Sequence, residues 1–181
     1  TDINLSNIIY GLDMQLPIYL YLANNIDNIK EKKIVGFYLQ KLLHPIINKD
    51  YKKTKLALEE ANLKLNGYSI SNQKLLEEFD DSYIKSEVIG SMSTTKDGSF
   101  SHHAKVLEEK EIKKLEEIVE KNIDTAILNI KNAKFEINPK IIGNDNKSCK
   151  YCQFYDICFK QNKDLVKLKE IKLEEILKEV E

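Results

Sequence analysis

Apolar residues crowd the opening of the chain at helical spacing. Leu5, Ile8, Ile9, Leu12, Leu16, Tyr19, Leu20 and Ala23 recur across residues 5–25 and predict a largely buried helix. Pro17 lies inside this run. It has no N–H to give to the Asp13 carbonyl, so a kink or restart is expected there. Residues 34–42 are rich in β-branched and aromatic side chains, end before His44-Pro45, and predict a strand. A lysine-rich amphipathic pattern over 52–65 predicts a helix stopped at Asn66-Gly67, a pair suited to a left-handed cap. Ser71 to Phe79 predict a short helix with Ser71 near its N-cap, Glu87 to Ser93 a short strand, and Lys96-Asp97-Gly98-Ser99 a turn.

The clearest periodicity runs over 108–132, with Ile112, Leu115, Val119, Ile123, Ala126, Ile127 and Ile130 on one helical face and acids in the first turn. Phe135 to Ile137 should be extended, with Pro139 leading into a cysteine-bearing segment. After Lys163 the leucines at 165, 168, 173 and 177 punctuate a charged amphipathic tail, a kind of segment that more often frays than packs. The pattern as a whole is α+β and helix-rich.

Composition narrows the possibilities. The 181 residues suffice for one domain with a core, at 42% hydrophobic and 31% charged. The net charge of -1 gives no bulk attraction to nucleic acid or membrane, and no segment holds a dominant basic cluster. Every basic side chain is lysine, which meets a phosphate as a point charge and not as a planar fork. No apolar run is long enough to span a bilayer, so no membrane partner is expected. A start at Thr1, close to a helix, reads as an excised piece of a longer protein.

The strongest chemical signal is Cys149-Lys-Tyr-Cys152-Gln-Phe-Tyr-Asp-Ile-Cys158, a C-x2-C-x5-C cluster that holds all three cysteines of the chain. Thiolates this close can share one soft metal centre. An odd count without a secretory segment argues against a disulfide framework. Three donors are one short of four, so a histidine or a cysteine elsewhere would complete the site; spacing leaves zinc and iron–sulfur both open.

Other candidates are weaker. Gln15 and Tyr19, four apart, share a helix face. An amide and a phenol there could hold a phosphate, a base or an attacking water, whereas a core aromatic beside an edge amide would do nothing chemical. Asp50-Tyr51-Lys52 has the acid-x-Lys form of a magnesium nuclease. The same form recurs at Glu31, Glu111, Asp145 and Glu170, which marks it as a decoy of composition. His44 looks like a strand-end residue, and the adjacent His102 and His103 point in different directions, although either could supply a fourth zinc ligand.

Taken in order, Tyr10-Gly-Leu-Asp-Met-Gln-Leu-Pro-Ile-Tyr19, Val35-Gly-Phe-Tyr38, Lys96-Asp-Gly-Ser-Phe100 and Asn138-Pro-Lys-Ile-Ile-Gly143 followed by the cysteine cluster resemble the C-terminal nuclease domain of the AddB family. These are the RecB-type PD-(D/E)XK domains found in bacterial AddAB helicase–nucleases. The resemblance covers roughly residues 1–160. It implies a restriction-endonuclease-like core and Mg²⁺-dependent exonuclease action on DNA. It also implies a place in an ATP-dependent helicase–nuclease that processes double-strand ends for recombinational repair. The implied partners are DNA, as double-strand ends and single strand, and an AddA-like helicase–nuclease subunit, in the cytoplasm. By matching position, Gln15 and Tyr19 take the Gln-x-x-x-Tyr roles beside the active site. Cys149, Cys152 and Cys158 take three ligand positions of a [4Fe-4S] cluster.

Two departures qualify the carry-over. The family's metal-binding carboxylates and its remaining cluster cysteine precede the Gln-x-x-x-Tyr helix. The chain therefore reads as the back portion of a split site, inactive alone and with its cluster incomplete or absent. The expected division is residues 1–162, the nuclease part including the cysteine segment 149–158, and a charged helical tail over 163–181. A Cas4-like iron–sulfur exonuclease shares these motifs, but the separation of Gln15 and Cys149 is long for it. A non-catalytic zinc-binding interaction module is the rival from another class.

Overall fold

The computed structural model describes residues 3–28, 31–42, 60, 62–146, 148–150 and 152–178. A 3₁₀ turn, Leu5–Tyr10, opens the fold, followed by helix α1, Gln15–Asn25. Strands β1 (Gly36–Leu39), β2 (Asn66–Ile70) and β3 (Val106–Leu107) form one sheet in that order, β1–β2 antiparallel and β2–β3 parallel. Helix α2 is Gln73–Phe79 and α3 is Glu109–Lys131. A second small sheet, in the order β5-β4-β6, joins β4 (Lys140–Ile142), β5 (Asp145–Asn146) and β6 (Val166–Leu168). A 3₁₀ turn (Asn162–Asp164) precedes β6, and a short helix, α4 (Leu173–Leu177), follows it. This is an α+β arrangement, as the periodicity predicts. No helix among the described residues is long and apolar enough to cross a membrane.

The first sheet separates two cores because successive strand residues point to opposite faces. Phe37 and Leu107 join Leu5, Ile8, Leu20, Leu115 and Leu177 in the larger core, beneath α1, α3 and α4. Tyr38 and Val106 turn the other way, toward Leu76, Ile89 and Met92. The register continues the division. Phe37 pairs with Tyr68 and their rings stack at 5.9 Å, while Tyr38 stacks on Phe79 at 6.1 Å and shares a 2.7 Å hydrogen bond with Ser69 Oγ.

The opening helix does restart, but ahead of Pro17. The break falls at residues 11–14, where Gly11 (φ +69°) caps the 3₁₀ turn and Asp13 also takes a positive φ (+54°). Pro17 then sits in the first turn of α1, where its missing N–H leaves no intrahelical bond unmade. Asn66-Gly67 is not a helix cap. It lies in β2, and a Cβ on Gly67 would collide with the Phe37 carbonyl and crowd Tyr38, so glycine serves close strand approach. The expected strand over 87–93 is instead a looped segment with isolated bridges, since Ser91 reverses the chain at φ +60° so that Ile89 and Met92 both reach the core. The N-cap of α2 is Asn72, whose side chain accepts from the Leu75 N–H, one residue later than Ser71. Most of the helix expected over 52–65 lies outside the described residues.

The tail expected to fray packs. Strand β6 pairs in parallel with β4, and Leu177 is 6% exposed against the opening 3₁₀ turn and α3. Leu173 and Leu177 find apolar partners in the larger core. Along α3 the apolar stripe is buried only in the first half. Leu115 and Val119 are fully enclosed, whereas Ile127 and Ile130 are exposed.

Below the second core, the buried Asp80 carboxylate accepts from Ser82 N (3.0 Å), Ser82 Oγ (2.6 Å) and Ser86 Oγ. Burial pushes its pKa up, but these hydrogen bonds and the nearby Lys64 ammonium outweigh that and hold it below the usual carboxylate value. A depressed folded-state pKa stabilises above the unfolded value and is lost as pH falls through the folded one. Thermal melting at falling pH should therefore drop less steeply below about pH 4 for Asp80→Asn than for the native chain. Leu115→Ala should lower unfolding free energy by about 2–5 kcal/mol in urea titrations, since the cavity lies among residues fixed by three elements.

Candidate functional site

Gln15 is the first residue of α1 and Tyr19 lies one turn later. Pro17 and Leu20 face inward and anchor the helix, which turns Gln15 and Tyr19 outward. Gln15 Nε2 donates to Tyr19 Oη at 3.3 Å, and Tyr19 is 55% exposed. Tyr19 is thus not a core aromatic. The pair forms a solvent-facing polar ledge beside the N-terminal end of α1, the end where the helix dipole favours an anion.

The approach to this helix is held by polar contacts that sequence spacing does not announce. Asn7, 5% exposed, donates from Nδ2 to Asp13 Oδ2 at 2.6 Å, closing the loop that aims α1. Its carbonyl accepts from Leu12 N. Asn122 of α3 donates to the Ile8 carbonyl at 2.8 Å, Lys140 of β4 donates to the Tyr10 carbonyl, and Tyr10 Oη donates to the Lys169 carbonyl at 2.9 Å. Residues on both sides of the cysteine segment therefore bind Tyr10, five positions ahead of Gln15.

That segment leaves β5 at Asn146, whose Oδ1 accepts from the Cys149 N–H at 3.1 Å. Consecutive turns follow, with Cys152 N donating to Cys149 O and Tyr155 N to Cys152 O. All three thiols are free and half-buried. Asp145, Asn146, Cys149, Cys152, Gln153 and Tyr155 border an open cleft of about 580 Å³. Among the described residues, no three His, Cys, Asp or Glu side chains gather around one point as a ready metal site. The three thiols share a loop and a soft-donor chemistry that fits an iron–sulfur or zinc centre, without already being drawn together.

The other sequence candidates separate from the site. His102 and His103 are exposed in a turn with their rings edge to face at 5.4 Å, and neither joins the cysteines in a three-donor set. His44, Asp50, Tyr51 and Lys52 lie outside the described residues. Asn7, Tyr10 and Lys140 are the contributors that sequence reasoning passes over. An asparagine set among apolar residues ahead of Gly11-Leu-Asp13 was the available signal.

A sequence profile of the PD-(D/E)XK nuclease superfamily matches residues 4–159, which runs from the opening 3₁₀ turn through the last cysteine. The chain belongs to the PD-(D/E)XK nuclease superfamily. As a PD-(D/E)XK chain it is 30% identical over 164 residues to the B component of the ATP-dependent helicase/deoxyribonuclease of Acetivibrio thermocellus, covering 87% of this chain and 14% of the relative. It is 26% identical over 188 residues to the protein of the same name in Alkaliphilus metalliredigens, covering 99% of this chain and 16% of the relative. The similarity to the namesake in Thermoanaerobacter sp. is 28% over 185 residues, covering 97% and 16%. This PD-(D/E)XK chain thus spans about 14–16% of the length of the curated relatives it matches.

Asn7→Ala should free the loop before α1. An expected loss of about 1–3 kcal/mol in unfolding free energy, with faster amide exchange at Ile18 and Tyr19 than at Val119, would mark the contact as the one that aims the helix.

Proposed function

We propose that this domain cleaves DNA strands within an ATP-dependent helicase–nuclease that processes double-strand ends for recombinational repair. The observation that carries the reading is the exposed, hydrogen-bonded Gln15–Tyr19 pair inside a PD-(D/E)XK match. The relatives carry the name of a B subunit of an ATP-dependent helicase/deoxyribonuclease, which supports a deoxyribonuclease that works with another subunit. That the other subunit is AddA-like and the DNA is double-strand ends and single strands is part of the proposal.

In this reading the Tyr19 hydroxyl and the Gln15 amide hold the scissile strand or the attacking water in line with the reacting phosphorus, a positioning role. Mg²⁺, when bound, supplies charge neutralisation at the phosphodiester and a more acidic water. The described residues provide no three-donor site for it. The metal-binding carboxylates are proposed to lie outside the described residues. Cys149, Cys152 and Cys158 are proposed as three ligands of a [4Fe-4S] cluster whose fourth ligand comes from a distant segment. Such a closure stabilises by tying a long loop.

The test uses the intact protein. Gln15→Ala and Tyr19→Phe should each slow cleavage of a linear duplex roughly 10- to 100-fold while DNA binding holds. Unchanged cleavage by both variants would remove the positioning role. Cys152→Ser should lose iron and acid-labile sulfide together and melt at a lower temperature. Zinc in place of iron, with no sulfide, would contradict the cluster.

A further inference from the structure

Three lysines far apart in sequence meet at one end of the first sheet. Lys41 follows β1, Lys64 precedes β2, and Lys105 precedes β3. They converge because Leu39 pairs with Asn66 across β1 and β2, while β2 runs parallel to β3 with Ser69 opposite Val106. Together with Gln40, Asn62 and Asn66 they line a cleft of about 490 Å³. No carboxylate is among the described residues lining it. The chain has a net charge of -1, so this is a local excess of positive charge on a molecule without a global one.

The three lysines are not equivalent. Lys64 is committed to the structure: its Nζ donates to the Ser86 carbonyl at 2.6 Å and lies within electrostatic reach of Asp80. Lys41 and Lys105 touch neutral amide groups, Asn62 Oδ1 at 3.3 Å and Asn66 Oδ1 at 3.4 Å. Lys105 also lies 5.7 Å from the centre of the Tyr68 ring. These contacts orient the two ammonium groups without neutralising them. Ammonium groups flanked by amides, in a groove with no acid among its described lining residues, suit successive phosphates of a flexible strand.

We propose that the Lys41–Lys64–Lys105 cleft is a phosphodiester-binding groove that tracks the backbone of single-stranded DNA, a proposal that rests on the nuclease reading above. Lys41 and Lys105 carry the phosphate contacts, and Lys64 holds the groove's wall in place. Binding should depend little on base sequence, because lysine point charges read no base edge.

The experiment is amine-acetylation footprinting of the intact native protein with and without a saturating oligodeoxythymidylate of about 20 nucleotides, paired with anisotropy titrations of the Lys41→Gln/Lys105→Gln double variant over a salt series. Protection of Lys41 and Lys105, with Lys110 and Lys113 on α3 still modified, is the expected footprint. The double variant should bind at least about tenfold more weakly at low salt, its log–log salt slope reduced by about 1.4, and Lys41→Arg/Lys105→Arg should retain both. Bound oligonucleotide without protection at these lysines overturns the groove and leaves the nuclease reading standing. A native protein that binds no oligonucleotide also overturns the groove, and the nuclease reading falls with it only if that protein fails to cleave a linear duplex.

Discussion

Burial of Leu5 and Ile8 beneath Leu115 and Leu177 is the contact on which the rest of the arrangement depends. It fixes the opening 3₁₀ turn against α3 and α4, elements far later in the chain. Everything downstream of that turn inherits its position. The loop at Gly11–Met14 is pinned by Asn7, and α1 leaves it with Pro17 and Leu20 inward and Gln15 and Tyr19 outward. A polar pair in water is a weak determinant of geometry by itself. Here it is the outer face of a helix whose inner face is set by close packing, and close packing tolerates little displacement.

The second sheet links that helix to the cysteine segment. Lys140 before the cysteines and Lys169 after them both bond to Tyr10. The thiols lie on a loop of turns between β5 and β6, with Phe154, Ile157 and Phe159 exposed around them. A centre that drew the three thiols together would tighten a loop whose two ends already grip the approach to α1. Stability and the aim of the Gln15–Tyr19 ledge would then be coupled through side-chain-to-backbone hydrogen bonds at Tyr10 instead of through any contact between the two groups.

Parts of the site were legible in sequence because they are local. Gln15 and Tyr19 share a face in any α-helix, and the C-x2-C-x5-C spacing survives whatever fold surrounds it. Local rules also misplaced some elements for physical reasons. Asn66-Gly67 has the chemistry of a cap but lies in β2, because the approach of Phe37 and Tyr38 needs a residue without a Cβ. The tail after Lys163 has too few apolar residues to fold alone, yet β4 and the opening turn offer it a strand partner and a place for Leu177.

The sequence by itself determined the fold class, a long helix over about 108–132, a strand within 34–42, the helical face shared by Gln15 and Tyr19, and the three thiols on one short segment. Periodicity and spacing act over a few residues and need no knowledge of what packs where. Only the tertiary structure decided that Tyr19 faces water, that Asn7 and Tyr10 hold its helix, that the tail enters the core, and that Lys41, Lys64 and Lys105 meet in one cleft. Each of these depends on strand pairing or packing between segments distant in the chain, and the free energy that selects such pairings belongs to the assembled core, not to any window of sequence.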